Sequence, residues 1–305
     1  MIYPPYLKHG DAIGIVAPAR KITPNELEFS IRWWEEKGFR VVLGKNLFAI
    51  HHQYAGFDDE RLEDLQNMLN DNNIKAIFCA RGGYGTMRII DQLDFLSFKL
   101  DPKWICGFSD ITALHAHINK NCGVATIHST MPVSTNGNYL ENFEKLYQTL
   151  TGEIANYEWN THRINRTGEC SGQLVGGNLS LLYALSGSVS DMDTAGKILF
   201  IEDVDEYLYH IDRMMLQLKR AGKLAHLAGL LVGDFTKMRD NEIAFGSDFE
   251  HIIREHCETY NFPIAFNFPA GHGERNLPLK LGATYCLTVE EEKTTLKEVA
   301  KKAHK

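Results

Sequence analysis

The chain has 305 residues, enough for about two domains, and its 44% hydrophobic and 23% charged residues exclude disorder and collagen-like structure. Thirty-two Lys and Arg stand against 39 Asp and Glu, a net charge of -7, with no basic block to meet a run of phosphates, so no nucleic-acid partner is expected. No apolar run approaches the ~18 residues of a membrane helix, and the opening residues 1–10 lack the basic-then-apolar order of a secretory signal, so a cytoplasmic protein with no membrane partner is expected.

Residues 11–18 predict a buried strand stopped by Pro18. Thr23, Pro24 and Glu26 then form a helix-start signature, with Leu27, Ile31 and Trp34 on one face and Gly38 at the end. Residues 40–43 read as a strand, 61–69 as a helix, 74–80 as a strand and 86–93 as a helix. A fourth strand at 104–107 is followed by a helix over 110–119. Alternation of this kind implies an α/β fold, a mostly parallel sheet flanked by helices. From about 136 to 172 the composition turns polar, beginning with Asn136, Gly137 and Asn138, and the connection between domains is placed there. This divides the chain into an N-terminal α/β domain over 1–150 and a smaller C-terminal α/β domain of mixed strands over 168–305. In the second part, strands are expected at 197–201, 227–232 and 263–268, helices at 210–221 and 248–260, and a closing hairpin from 283–289 and 295–299.

The sharpest local feature is Gly107-Phe108-Ser109-Asp110, between an apolar run and a helix. A tight strand-to-helix turn exposes a serine hydroxyl, and the N–H that follows sits where a helix begins and can stabilise an oxyanion. The second glycine of the usual nucleophile elbow is Ile111 here, and Ser109 also suits a plain N-cap. Two strand ends bear on the choice. Glu202 directly follows strand 197–201, and His272 sits in a Pro/Gly loop after strand 263–268. Ligands of α/β sheets bind beyond the carboxyl ends of strands. Ser109, Glu202 and His272 thus occur in the order of the hydrolase triads. Singly, Glu202 could belong to a solvated acidic run through Glu206, and His272 could be an ordinary loop histidine.

Residues 80–85, with Gly82, Gly83 and Gly85, follow a strand and open a helix, so their N–H groups could face an anion. They match neither nucleotide-binding glycine fingerprint, and the functional alternative is an oxyanion-hole donor opposite Ser109. Gly176, Gly177 and Asn178 could be a second loop at the same cleft or a plain turn. No spacing suits a metal: Glu202, Asp203, Asp205 and Glu206 lack the calcium-loop pattern, and His115 and His117 diverge on a helix. No metal or other cofactor is expected. The six cysteines are scattered without a C-x-x-C pair and read as reduced structural thiols.

Together these strings resemble the LD-carboxypeptidases (muramoyltetrapeptide carboxypeptidases), serine peptidases related to those that confer immunity to microcin C. The resemblance spans the chain: residues 15–18, 81–85, 107–114, 176–178, 200–206, 211–214, 233–235 and 271–272 carry it in family order. It implies a catalytic triad of Ser109, Glu202 and His272, oxyanion donors at the backbone of Gly83 and Asp110, and substrate contacts at Arg81, Gly82, Gly177 and Asn178. It further implies a two-domain α/β homodimer with the active site in the groove between domains. The implied reaction releases the terminal D-alanine of a cytoplasmic murein tetrapeptide in peptidoglycan recycling. An amidase acting on a toxic peptide-nucleotide and a non-catalytic peptide-binding relative are the alternatives. Where relatives often carry a His-Gly-Pro-Met-like string, this chain reads His128-Ser129-Thr130-Met131-Pro132. Arg81, Arg275 and Lys280 are candidate cations for a substrate carboxylate.

Overall fold

The computed structural model describes residues 1–133 and 139–300 and contains two sheets. In chain order, β1 (Ala12–Val16), β2 (Arg40–Leu43), β3 (Ile74–Cys79), β4 (Trp104–Gly107) and β5 (Thr126–His128) lie parallel in the spatial order β5-β4-β3-β1-β2. β1 and β4 are buried throughout, which is why they read as unbroken apolar runs rather than alternating ones. The later strands are β6 (Asn156–Asn160), β7 (Gly168–Asn178), β8 (Ile198–Val204), β9 (Gly229–Thr236), β10 (Ile264–Ala265), β11 (Leu279–Leu281), β12 (Thr284–Val289) and β13 (Lys293–Glu298). All but β11 form the second sheet, in the order β10-β9-β8-β7-β12-β13-β6. Its first four strands are parallel and its last three antiparallel. β11 instead joins the first sheet, antiparallel to β5 with Leu279 opposite His128. The architecture is α/β with mixed strands in its second part.

Helix Thr112–Asn121, which follows β4, joins the two sheets. Its residues Thr112 to Ala116, Ile118 and Asn119 are all buried. One apolar cluster unites Ile105, Ile111, Ala113 and Leu114 with Val175, Leu199 and Ile201 of the second sheet and with Leu179, which opens the helix after β7. The Asn178 N–H donates to Thr112 Oγ1 at 3.0 Å. Gly176 and Gly177 make this approach possible. Both have φ in the left-handed half (+128° and +139°), and a Cβ at Gly176 would lie 1.9 Å from the Phe200 carbonyl oxygen. The glycine pair is therefore the end of β7, where the chain runs against β8 and the helix.

Several elements differ from the sequence expectation. The polar stretch from 136 to 172 holds helix Tyr139–Leu150, β6 and the start of β7; Asn136, Gly137 and Asn138 lie outside the described residues. β6 is an edge strand that turns only Tyr157 and Trp159 inward, so its composition is polar although its backbone is extended. The helix expected at 86–93 is a single turn, Thr86–Ile89, continued by a 3₁₀ segment at Ile90–Gln92. The strand expected at 263–268 is two residues long, because the chain leaves the sheet to form the loop that carries His272. The hairpin is present as β12 and β13.

Lys280 of β11 is fully buried, and its Nζ donates to Glu298 at 3.0 Å, Tyr6 Oη at 3.2 Å and the Glu153 carbonyl at 3.3 Å. A buried ammonium left without its carboxylate costs on the order of 3–5 kcal/mol. Glu298→Ala should therefore lower the free energy of unfolding by that amount, whereas Lys280→Met with Glu298→Leu should restore most of it. Equilibrium urea unfolding of the three proteins checks this.

Candidate functional site

β4 ends at Gly107 and delivers Phe108 in an extended conformation, and the chain then turns sharply. Ser109 has φ +62°, a left-handed conformation that costs a residue with a Cβ about 1–2 kcal/mol. Ser109 to Ile111 form a 3₁₀ turn that runs into helix Thr112–Asn121. Asp110 points inward, and its Oδ2 accepts the Thr86 N–H at 2.9 Å, which ties the serine turn to the loop after β3. Gly82 of that loop lies against Ser109: a Cβ there would fall 3.0 Å from Ser109 Cβ and 3.2 Å from its Oγ. Any side chain at 82 would therefore crowd the serine hydroxyl.

Glu202 occupies the end of β8 and is 0% exposed. Its Oε2 accepts from Nδ1 of His272 at 2.7 Å, while Oε1 is buried with no hydrogen-bond partner among the described residues. The bond to Nδ1 fixes the ring so that a neutral His272 presents Nε2 as its basic nitrogen. Burial opposes charging the ring, but Glu202, then Asp203 and Asp234, outweigh it, so the pKa of His272 is raised above the ordinary value. The Phe108 ring lies 4.7 Å from the imidazole, centroid to centroid. No hydrogen bond joins His272 to Ser109 in this structure. In unliganded sites such bonds are often long and tighten only around substrate.

The acidic stretch after Ile201 is solvated only in part: Glu202 and Asp203 are buried, and Asp205 is exposed. Asp203 is 2% exposed and accepts from Asn178 Nδ2 at 2.9 Å and Ser180 Oγ at 2.7 Å. Burial, then the charge of Glu202, pushes Asp203 up to about 6. Burial likewise pushes Asp234 up to about 6, although Gly273 N–H donates to it at 3.0 Å. Asp205 pairs with Arg239 and Glu206 with His210.

A cavity of about 660 Å³ brings together Ser109, His272, Arg81, Gly82 and Gly83. Gly177 and Asn178 do not line it. Gly177 faces Thr112, and the Asn178 side chain bonds Asp203 and caps the next helix through Leu181 N–H at 3.2 Å. Arg81 reaches the cavity but pairs with Glu26 at 2.9 Å. Of the other candidate cations, Arg275 pairs with Glu141, and Lys280 is buried in its bond to Glu298.

Residues without a sequence signal complete the wall. Asn276 Oδ1 accepts the Gly271 N–H at 3.1 Å and faces His128 Nε2 at 3.2 Å, and Asn142 Oδ1 accepts the Asn276 N–H at 2.9 Å. These bonds pin the loop carrying His272. The departing string at 128 therefore contributes a buried ring behind the site, with its pKa held well below the usual value by burial. Arg20 and Lys237 also line the cavity. Each is one of many scattered cations in the sequence, and only the fold singles them out.

The field at His272 can be read by NMR. The ring should titrate with a midpoint above about 6.5, the ordinary histidine value. Asp234→Asn, which removes a nearby negative charge, should move that midpoint down.

A family model described as the LD-carboxypeptidase N-terminal domain matches residues 13–129, and one described as the C-terminal domain matches residues 171–287. The chain is 38% identical over 298 residues to a probable murein peptide carboxypeptidase of Bacillus subtilis (strain 168), covering 94% of this chain and 92% of that one. Among solved structures, the muramoyltetrapeptide carboxypeptidase of Oxalobacter formigenes is 25% identical with a TM-score of 0.85, over 95% of this chain and 99% of that one. A microcin C7 self immunity protein in complex with aspartyl sulfamoyl adenosine shares the fold at 21% identity and a TM-score of 0.87, over 98% of this chain and 99% of that one. Both domain models and a relative aligned along nearly the whole length agree: the chain belongs to the LD-carboxypeptidase family.

Proposed function

We propose that this protein is a serine carboxypeptidase that removes the terminal D-alanine of a murein tetrapeptide, cleaving the amide that joins it to the L-centre of a diamino acid. The observation that carries the proposal is the buried Glu202–His272 bond at 2.7 Å, opening on the same cavity as the strained Ser109 turn. His272 Nε2 takes the Ser109 proton as Oγ attacks the scissile carbonyl, and the oxyanion is received by the N–H groups of Gly83 and Asp110. The imidazolium, stabilised by Glu202, gives its proton to the amine of the departing D-alanine. Water then attacks the acyl-enzyme with His272 again as base, releasing the shortened peptide. In this reading Ser109 sits on a nucleophile elbow in a domain over 1–150, and the acid and histidine belong to a domain over 168–305. The working form is a cytoplasmic homodimer acting in peptidoglycan recycling. The fold shared with the microcin immunity protein supports a second reading, an amidase acting on a peptide-nucleotide.

Ser109→Ala should lower kcat on a murein tetrapeptide by on the order of 10⁶ while leaving the circular dichroism spectrum unchanged. Mass spectrometry of the products, with a peptide-nucleotide as the competing substrate, separates the two readings.

Glu202→Gln should reduce kcat at least a hundredfold, since the acid-to-amide change in a related triad costs ~10⁴. Asp205→Asn breaks only an exposed pair with Arg239 and should stay within about threefold, as exposed pairs contribute ~0–1 kcal/mol. Parallel kcat measurements at one pH decide it. Equal losses in the two variants would remove Glu202 from its assigned role.

A further inference from the structure

A carboxypeptidase must recognise a free carboxylate about one residue, roughly 3.3–3.8 Å along the chain, beyond the carbonyl it attacks, so its cation has to stand one hydrogen bond further on, close to the oxyanion site. Five charged side chains line the cavity: Arg20, Arg81, Asp205, Glu206 and Lys237. Three are already engaged. Arg81 pairs with Glu26 at 2.9 Å, Asp205 accepts from Arg239 Nε at 2.7 Å, and Glu206 bonds His210 at 2.5 Å and Ser180 Oγ at 3.0 Å. Among the described residues, the side chains of Arg20 and Lys237 make no hydrogen bond or ion pair.

Arg20 is the better placed of the two. Its stem crosses Gly83: a Cβ on that glycine, whose φ is +112°, would fall 2.0 Å from Arg20 Cδ and 2.4 Å from Cγ. The Arg20 N–H also donates to the Gly82 carbonyl at 3.4 Å. The Arg20 stem thus runs against Gly83, the residue whose N–H is assigned to the oxyanion, and the side chain lines the cavity that holds Ser109. Its planar fork matches a carboxylate through two parallel N–H donors, which an ammonium cannot do. Lys237 comes from the opposite sheet, after β9, and has no such tie to the loop.

We infer that Arg20 binds the terminal carboxylate of the substrate and so restricts the enzyme to the last residue of a peptide. The inference rests on the carboxypeptidase reading above. Its test uses two synthetic tetrapeptides that differ only at the end, D-alanine carboxylate against D-alanine carboxamide. The quantity read is the ratio of kcat/KM for acid over amide, in the wild type and in Arg20→Gln, Arg20→Lys, Lys237→Gln and Arg81→Gln.

Wild type is expected to favour the acid. Arg20→Gln should lower kcat/KM on the acid about 10- to 150-fold, the range for a lost bond to a charged group, and bring the ratio close to one. Arg20→Lys should recover part of the preference, and it decides the matter should the glutamine variant not fold. A wild-type ratio in both Arg20 variants overturns the inference. So does a collapse of the ratio in Lys237→Gln or Arg81→Gln with Arg20→Gln unaffected. A wild type that cleaves neither peptide instead removes the carboxypeptidase reading, and this inference with it.

Discussion

A carboxylate buried at the end of a β-strand has to be paired, and Glu202 sets this condition for the whole site. Among the described residues its side chain bonds to His272, which lies 70 residues further along the chain in a loop with no regular structure of its own. The loop must therefore be brought to the end of β8 and held there. Asn276 and Asn142 hold it from behind, and Asp234 holds it through Gly273. The next residue, Asp203, faces the other side of the strand, as alternation requires, and fastens Asn178 and Ser180 instead. One strand end thus supplies two buried acids with separate duties, one orienting an imidazole and one anchoring the start of a helix.

The electrostatic setting follows from the same placement. Glu202, Asp203 and Asp234 gather around one ring, and burial first, then the charge of Glu202, pushes both aspartates up to about 6. The charged ring is favoured, which suits the general-base role proposed for it. Across the cavity, Ser109 is held in a left-handed conformation by Asp110, which fastens the turn to Thr86, and by Gly82, which leaves room beside it. The local strain persists because the surroundings over-determine it.

What could be read from the sequence follows from where each signal resides. β1 and β4 of the first sheet are buried on both faces and announce themselves as apolar runs, and the ends of β4 and β8 with the loop after β10 pointed to Ser109, Glu202 and His272. β6 was hidden because an edge strand needs only alternate apolar residues, here Tyr157 and Trp159, among asparagines and a glutamate. Gly176 and Gly177 suggested a ligand loop, yet their reason is close contact of backbones, a pairwise property that one chain segment does not display. Arg20, Asn276 and Asp234 matter only through what the fold brings beside them, and a lone arginine or asparagine carries no mark of that in its own neighbourhood.

The position of β11 has a bearing on how the chain is made. β5 presents one side to β4 and the other to β11, so the first sheet keeps an open edge until residues 279–281 arrive. Those residues leave the ribosome about 150 positions after His128, some 8 to 30 seconds later at ordinary rates of synthesis. During that interval the nascent sheet carries an unpaired strand of the kind that recruits foreign strands. The earlier part of the protein is thus exposed to aggregation until residues 279–281 are synthesised, and fragments ending before β11 inherit that exposure permanently.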